Sequence, residues 1–215
     1  MNENLILLSQ SYNDNKALRL LIKLAPYGGL IDSTLSSFYI REKERRLKVF
    51  FDELERSQIS LTDEEIQNND FLHKYFITLK AAVNTKRDEK IQYFARLLQN
   101  SNSPLLNPDL DTYDDFLGIL DELTFQEIYI LLSIRKFFAE YTGGKGLNNV
   151  AMYRPLKAKL AEEMKVSENE IISYYVRLER TGLIHHFRDQ FMSKEVNDTV
   201  NLTETFRKLE TLAHM

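Results

Sequence analysis

The sequence predicts a mainly α-helical protein: an N-terminal helical bundle over residues 1–105, then a C-terminal domain over 106–215 that adds a small β-hairpin to its helices. Three observations predict it. Apolar residues recur at three- and four-residue spacing through most of the chain, the period of a helix with one buried face. Turn formers are scarce, with 7 Gly and 4 Pro in 215 residues, and both residues disfavour helix interiors. The period changes only after Gly182, where the short β-prone runs LIHHFR and TVNL face each other across a polar loop.

Taken in order, Leu18, Leu21, Ile22 and Ala25 mark a first amphipathic helix that ends near Pro26, with Gly28 and Gly29 in the turn. A long helix is expected from about Ser33 to Glu55, carrying Leu35, Phe38, Tyr39, Leu47, Phe50, Phe51 and Leu54. The apolar positions lapse across REKERRLK (41–48), so the helix is expected to protrude from the core there. Phe71, Leu72, Tyr75, Phe76, Leu79, Ala82 and Val83 define the next helix, with Asp70 placed as its cap. KRDEKIQYFARLLQN continues with Ile91, Phe94, Ala95 and Leu98 on one stripe and Thr85 as the expected N-cap. SNSPLLNPD (101–109), with Pro104 and Pro108, reads as the linker.

Beyond the linker, a helix is expected around Tyr113 to Asp121. Thr124 followed by Glu127 is a capping-box signature for the helix LTFQEIYILLSIRKFFAEY, which TGGKG ends. Pro155 suits the first turn of the next helix, whose Leu156, Leu160, Ala161 and Met164 point one way. Ser167 with Glu170 makes a second capping box, and Thr203 caps a last helix bearing Phe206, Leu209 and Leu212.

The composition bounds the function. Hydrophobic residues at 43% and charged residues at 28% are ordinary for a chain that buries a core. The net charge of −4 gives no global attraction to nucleic acid or to an anionic membrane. The chain has no Cys, which excludes disulfides and thiolate metal sites and suits a reducing cytoplasm. MNENLILLSQ lacks a basic signal region, and Arg19 and Lys23 interrupt the longest apolar segment, so a cytoplasmic protein is expected.

LAEEMKVSENEIISYYVRLERTGLI (160–184) and the hairpin after it resemble the winged-helix domain of bacterial transcription regulators. The resemblance implies that Val166 packs under a tight turn, that Ile171, Tyr175 and Leu178 face the core, and that Gly182 ends the helix in a left-handed conformation. It also implies that Leu183 and Ile184 begin the wing. NTKRDEKIQYFARLLQNS (84–101) resembles the N-terminal halves of uncharacterised bacterial helical proteins, which implies nothing further.

If Ile171, Tyr175 and Leu178 are core, then Glu168, Asn169, Ile172, Ser173, Val176 and Arg177 lie on the face that DNA-reading relatives present to the major groove. Asn169, Ser173 and Arg177 are residue types that read base edges. Glu168 meets phosphates at an electrostatic cost, and two β-branched aliphatics at i and i+4, Ile172 and Val176, make a natural seam against protein. Residues 151–215 hold 10 basic and 10 acidic residues, and 101–150 hold 3 against 8, where phosphate contacts need a positive surface.

The expected function is therefore a non-enzymatic regulatory or interaction protein that docks a protein partner or a second copy through Ile172 and Val176. The alternative is a dimeric DNA-binding regulator with Asn169, Ser173 and Arg177 at bases and Arg180, Arg188 and Lys194 at phosphates. A further alternative is a helical defence protein that meets a membrane through LAPYGGLI (24–31). No catalytic constellation, metal site, cofactor or small-molecule substrate is expected. DLDTYDD lacks the Gly and Glu of a calcium loop, TGGKG lacks the Ser or Thr of a phosphate loop, and His185 and His186 alternate across a strand. Arg41, Arg45 and Lys48 form the most basic patch, with Glu42–Arg46 and Glu44–Lys48 expected as i, i+4 pairs.

Overall fold

Ten helices and one two-stranded antiparallel sheet are found among the described residues. The computed structural model describes residues 8, 10–12, 15–25, 37–56, 61–103, 106–142, 150–189 and 197–215. Most of LAPYGGLI, most of TGGKG, and Lys194 lie outside the described residues. The chain divides into two units, Met1–Asp121 with Leu212–His214, and Glu122–Thr211 with Met215.

The first unit is built from α1 (Lys16–Leu24), α2 (Ser37–Arg56), α3 (Asp63–Gln67), α4 (Asn69–Asn84), α5 (Asp88–Asn100) and α6 (Leu110–Glu122). Its core gathers the stripes read from the sequence: Leu18, Leu21 and Ile22, then Phe50, Phe51 and Leu54, then Tyr75, Leu79 and Val83, then Ile91, Phe94 and Leu98. Three polar side chains drawn into this core have partners. The Tyr75 hydroxyl donates to the Leu21 carbonyl at 2.6 Å. The buried Glu53 carboxylate receives Arg96 at 2.7 Å and Arg56 at 2.8 Å. The buried Lys74 ammonium donates to Asn107 Oδ1 at 3.2 Å and to the Pro108 carbonyl at 2.8 Å, beside a polar cavity of about 380 Å³. Burial lowers the Lys74 pKa below the usual lysine value.

Three local expectations are corrected in this unit. Asn68, not Asp70, caps α4, its side chain accepting from the amides of Asp70 and Phe71. Asp70 occupies the first turn instead, where its charge faces the positive helix end. Thr85 is the C-cap of α4, and α5 begins at Asp88 after Arg87, without a side-chain cap. Helix α2 does not leave the core across REKERRLK. Lys43 is buried and Leu47 fully so, with the Lys43 ammonium 4.7 Å from the Tyr39 ring centre. The lysine stem covers apolar surface where the sequence offers no aliphatic residue. Lys48 pairs with Asp52 at 2.9 Å, and one guanidinium nitrogen of Arg45 donates to both Asp88 carboxylate oxygens at 2.7 Å, so this patch is largely neutralised by neighbours.

The second unit runs α7 (Phe125–Thr142), α8 (Val150–Met164), α9 (Glu168–Arg180), β1 (Ile184–Asp189), β2 (Asn197–Leu202) and α10 (Glu204–Ala213). The hairpin is antiparallel, pairing Ile184 with Leu202 and His186 with Val200. His185 is exposed while His186 is buried against Tyr153 and Tyr175, the alternation a strand requires. Helix α8 begins five residues before Pro155, which therefore sits inside it rather than in its first turn. Tyr153 explains the extension. It is buried, stacked on His186 and tilted against Tyr175, so ordering that extra turn gains aromatic packing against the loss of one backbone hydrogen bond.

Candidate functional site

Helix α9 is held by two turns of the same design. At its start, Ser167 accepts from the Glu170 amide while the Glu170 carboxylate reaches back to the Ser167 amide at 2.8 Å, a complete capping box. The Ser167 hydroxyl also donates to that carboxylate at 2.9 Å, and the amide and hydroxyl together hold the Glu170 carboxyl below the usual carboxylate range. Just upstream, the Val166 amide bonds the Ala161 carbonyl at 3.0 Å, and Lys165 takes a positive φ of 56°. At the far end, the Leu183 amide bonds the Leu178 carbonyl at 3.2 Å, and Gly182 takes φ of 73°. Both closures follow the left-handed helix-ending pattern, though only the second uses glycine. Thr203 then fastens the hairpin, donating its hydroxyl to the Gly182 carbonyl at 2.6 Å while capping α10 at Phe206.

Between these turns the helix has two faces. Ile171, Tyr175 and Leu178 are buried, at the i, i+4, i+7 spacing of a single stripe. Tyr175 meets the Tyr153 and His186 rings. Its buried hydroxyl has no hydrogen-bond partner among the described residues, and burial raises its pKa above the usual tyrosine value. The opposite face carries Glu168, Ile172, Val176 and Arg180 in one i, i+4 row, flanked by Asn169, Ser173 and Arg177. Ile172 is half-buried, Asn169, Ser173, Arg177 and Arg180 are exposed, and Val176 is 48% exposed. The Ser173 hydroxyl turns back to the Asn169 carbonyl at 3.2 Å.

The charges on this face are largely engaged within the unit. Arg177 Nε lies 3.0 Å from Glu127 of α7, a carboxylate only 4% exposed. Glu127 also accepts from the Thr124 amide at 2.8 Å and hydroxyl at 2.7 Å, so the capping box of α7 and the anchor of α9 share one side chain. Glu168 pairs with Lys157 of α8 at 2.9 Å. Tyr174 donates to Gln126 at 2.8 Å, and this contact brings the start of α7, where Phe125 is 45% exposed, alongside the middle of α9.

No family model matches the chain, and the comparisons with curated proteins and with solved structures give no significant match.

The structure thus brings Asn169, Ile172, Ser173, Val176, Arg177 and Arg180 onto one face, as helical geometry requires. Arg188 lies in β1 opposite Asp198, and Lys194 falls outside the described residues. Among the described residues no group of three or more His, Asp or Glu could hold a metal ion, and no helix is long and apolar enough to cross a membrane. His73 is exposed and faces Asp114 at 3.2 Å. Sequence reasoning identified Glu127 as a cap but missed its pairing with Arg177, which is 50 residues away and has no local signature. It also missed Lys157, whose link to Glu168 depends on how α8 and α9 cross.

Proposed function

We propose that the second unit is a winged-helix-type docking module, acting on a protein partner or a second copy through Ile172 and Val176 of α9. The observation that carries this reading is the pairing of an aliphatic row, Ile172 half-buried and Val176 exposed, with cations already engaged nearby. Val176 is 48% exposed, whereas Arg177 and Lys157 are committed to Glu127 and Glu168. A DNA-reading helix needs its cations for phosphates, whose neutralisation dominates affinity. A protein interface gains instead from desolvating aliphatic side chains at its centre. The carboxylates of Glu168 and Glu170 at the start of α9 suit a helix end but oppose a phosphate backbone.

The test combines two measurements on the full chain. Sedimentation equilibrium of the wild type and Val176→Asp tests for a second copy as the occupant: a monomer–dimer equilibrium that the substitution abolishes is the expected result. Titration with random-sequence duplex DNA across a salt series tests the opposing reading. Binding that weakens steeply with salt and is lost in an Arg177→Glu/Arg188→Glu double variant would overturn docking in favour of DNA, with Asn169, Ser173 and Arg180 as its contacts.

A further inference from the structure

Helix α7 sends apolar side chains to most of its circumference, with Gln126, Ser133, Lys136 and Glu140 along its polar side. Ile128, Ile130, Leu131, Ile134 and Phe137 are buried. Yet Tyr129 remains 37% exposed and Leu132 half-buried on a line that no other described element covers fully. Here the uncovered line forms one wall of a groove of about 590 Å³, with Leu156 and Leu160 of α8 in the other wall. That volume falls within the roughly 300–1,000 Å³ of small-molecule sites.

The rim is cationic. Arg135, Lys136 and Lys159 line the groove against a single acid, Glu163, in a chain whose net charge is −4. Arg135 is held by Glu210 and by the Met215 carbonyl. Lys136 and Lys159 are held far more loosely. Each ammonium lies 3.9 Å from the carboxylate one turn on, Glu140 and Glu163 respectively, beyond hydrogen-bond length and largely in solvent. Glu163 is itself occupied, accepting the Tyr129 hydroxyl at 2.8 Å, an acceptor that raises the Tyr129 pKa.

We propose that this groove binds a small amphiphilic anion, its apolar body against Leu132, Leu156 and Leu160 and its carboxylate taken by Lys136 and Lys159 on opposite walls. Charge selects the occupant: an apolar floor alone accepts any hydrophobe, whereas two loosely paired ammoniums favour one with an anionic head. The inference is independent of docking through α9, since the groove is lined by α7 and α8 alone.

The test is calorimetric titration of the full chain with decanoate and decyltrimethylammonium, each below its micelle concentration, and with decanol below its solubility limit. Decanoate is expected to saturate one site and to bind at least about threefold more tightly than decanol. The cationic probe is expected to bind most weakly. Lys136→Gln/Lys159→Gln should reduce decanoate to the level of decanol, and Glu163→Gln should tighten it, both with unchanged far-ultraviolet circular dichroism. Val176→Asp should leave decanoate binding as it is. Absence of saturable decanoate binding, equal affinity for decanol, or indifference to the double lysine variant would each overturn the proposal.

Discussion

Helix α4 buries Phe71, Lys74, Tyr75, Thr78, Leu79, Ala82 and Val83, whereas helix α9 buries Ile171, Tyr175 and Leu178 and leaves Val176 almost half exposed. In α4 the demand for burial exceeds the supply of apolar residues. A lysine and a threonine are drawn in, and each has hydrogen-bond partners: Asn107 and Pro108 accept from Lys74, while Thr78 donates to the Lys74 carbonyl and meets the Tyr113 hydroxyl. In α9 the balance is reversed. Aliphatic residues remain after the core is filled, and the charged residues around them are tied down by neighbours. Folding stability accounts for the composition of α4, but it does not account for Ile172 and Val176 on the outer face of α9.

Substitution should expose that difference directly. Leu79→Ala removes a fully buried side chain and is expected to cost about 2–5 kcal/mol in urea denaturation. Val176→Ala is expected to change stability by less than about 0.5 kcal/mol. A cost near that of Leu79 would make Val176 a core residue and remove the ground for docking. Next in size is Glu127→Ala, which deletes both the cap of α7 and the anchor of Arg177, at about 1–2 kcal/mol. Arg177→Ala, with its side chain 53% exposed, should cost less than about 1 kcal/mol. Equal losses would mean that the ion pair, not the cap, supplies what Glu127 contributes.

Smaller effects distinguish the two turns that bracket α9. Gly182→Ala should destabilise by about 1 kcal/mol, because a Cβ there meets no neighbour and only the positive φ opposes it. Lys165→Gly should stabilise by a similar amount for the same reason, read as a shift in the denaturation midpoint. The smallest effect is one of pH. The Glu170 carboxyl is lowered in the folded state, so its contribution is present above the unfolded carboxylate pKa and is lost as pH falls through the folded value. Glu170→Gln retains the reach-back acceptor and should flatten that acid limb. An unchanged limb would assign it to other carboxylates, such as the similarly lowered Glu65.

What the sequence discloses depends on the range of the interaction. Both capping boxes of the second unit, the Gly182 turn, the buried stripe of α9 and the two paired strands were legible because each depends on residues close in sequence or on a strict period. Asp70 and Thr85 misled because Asn68 and the Lys86–Arg87 segment offered competing local solutions that only the packed helix ends decide between. Pro155 misled because its neighbour Tyr153 recruits an extra turn through rings brought from α9 and β1. The run REKERRLK misled because the Lys43 stem substitutes for an aliphatic residue and keeps the helix on the core. On the candidate face, the residues were legible and their electrostatic state was not, since Glu127, Gln126 and Lys157 reach it through the fold.

Glu127 has a further consequence. Its carboxylate closes the first turn of α7 through Thr124 and holds Arg177 on the face of α9. An incoming anion that takes Arg177 must compete with a carboxylate that is already desolvated and oriented, and winning that competition leaves the carboxylate with Thr124 alone. Occupancy at α9 and fraying of the α7 terminus thereby become a single linked equilibrium, in which each changes the other by the same factor. Amide exchange at the start of α7 would report, from within the protein, what binds at α9.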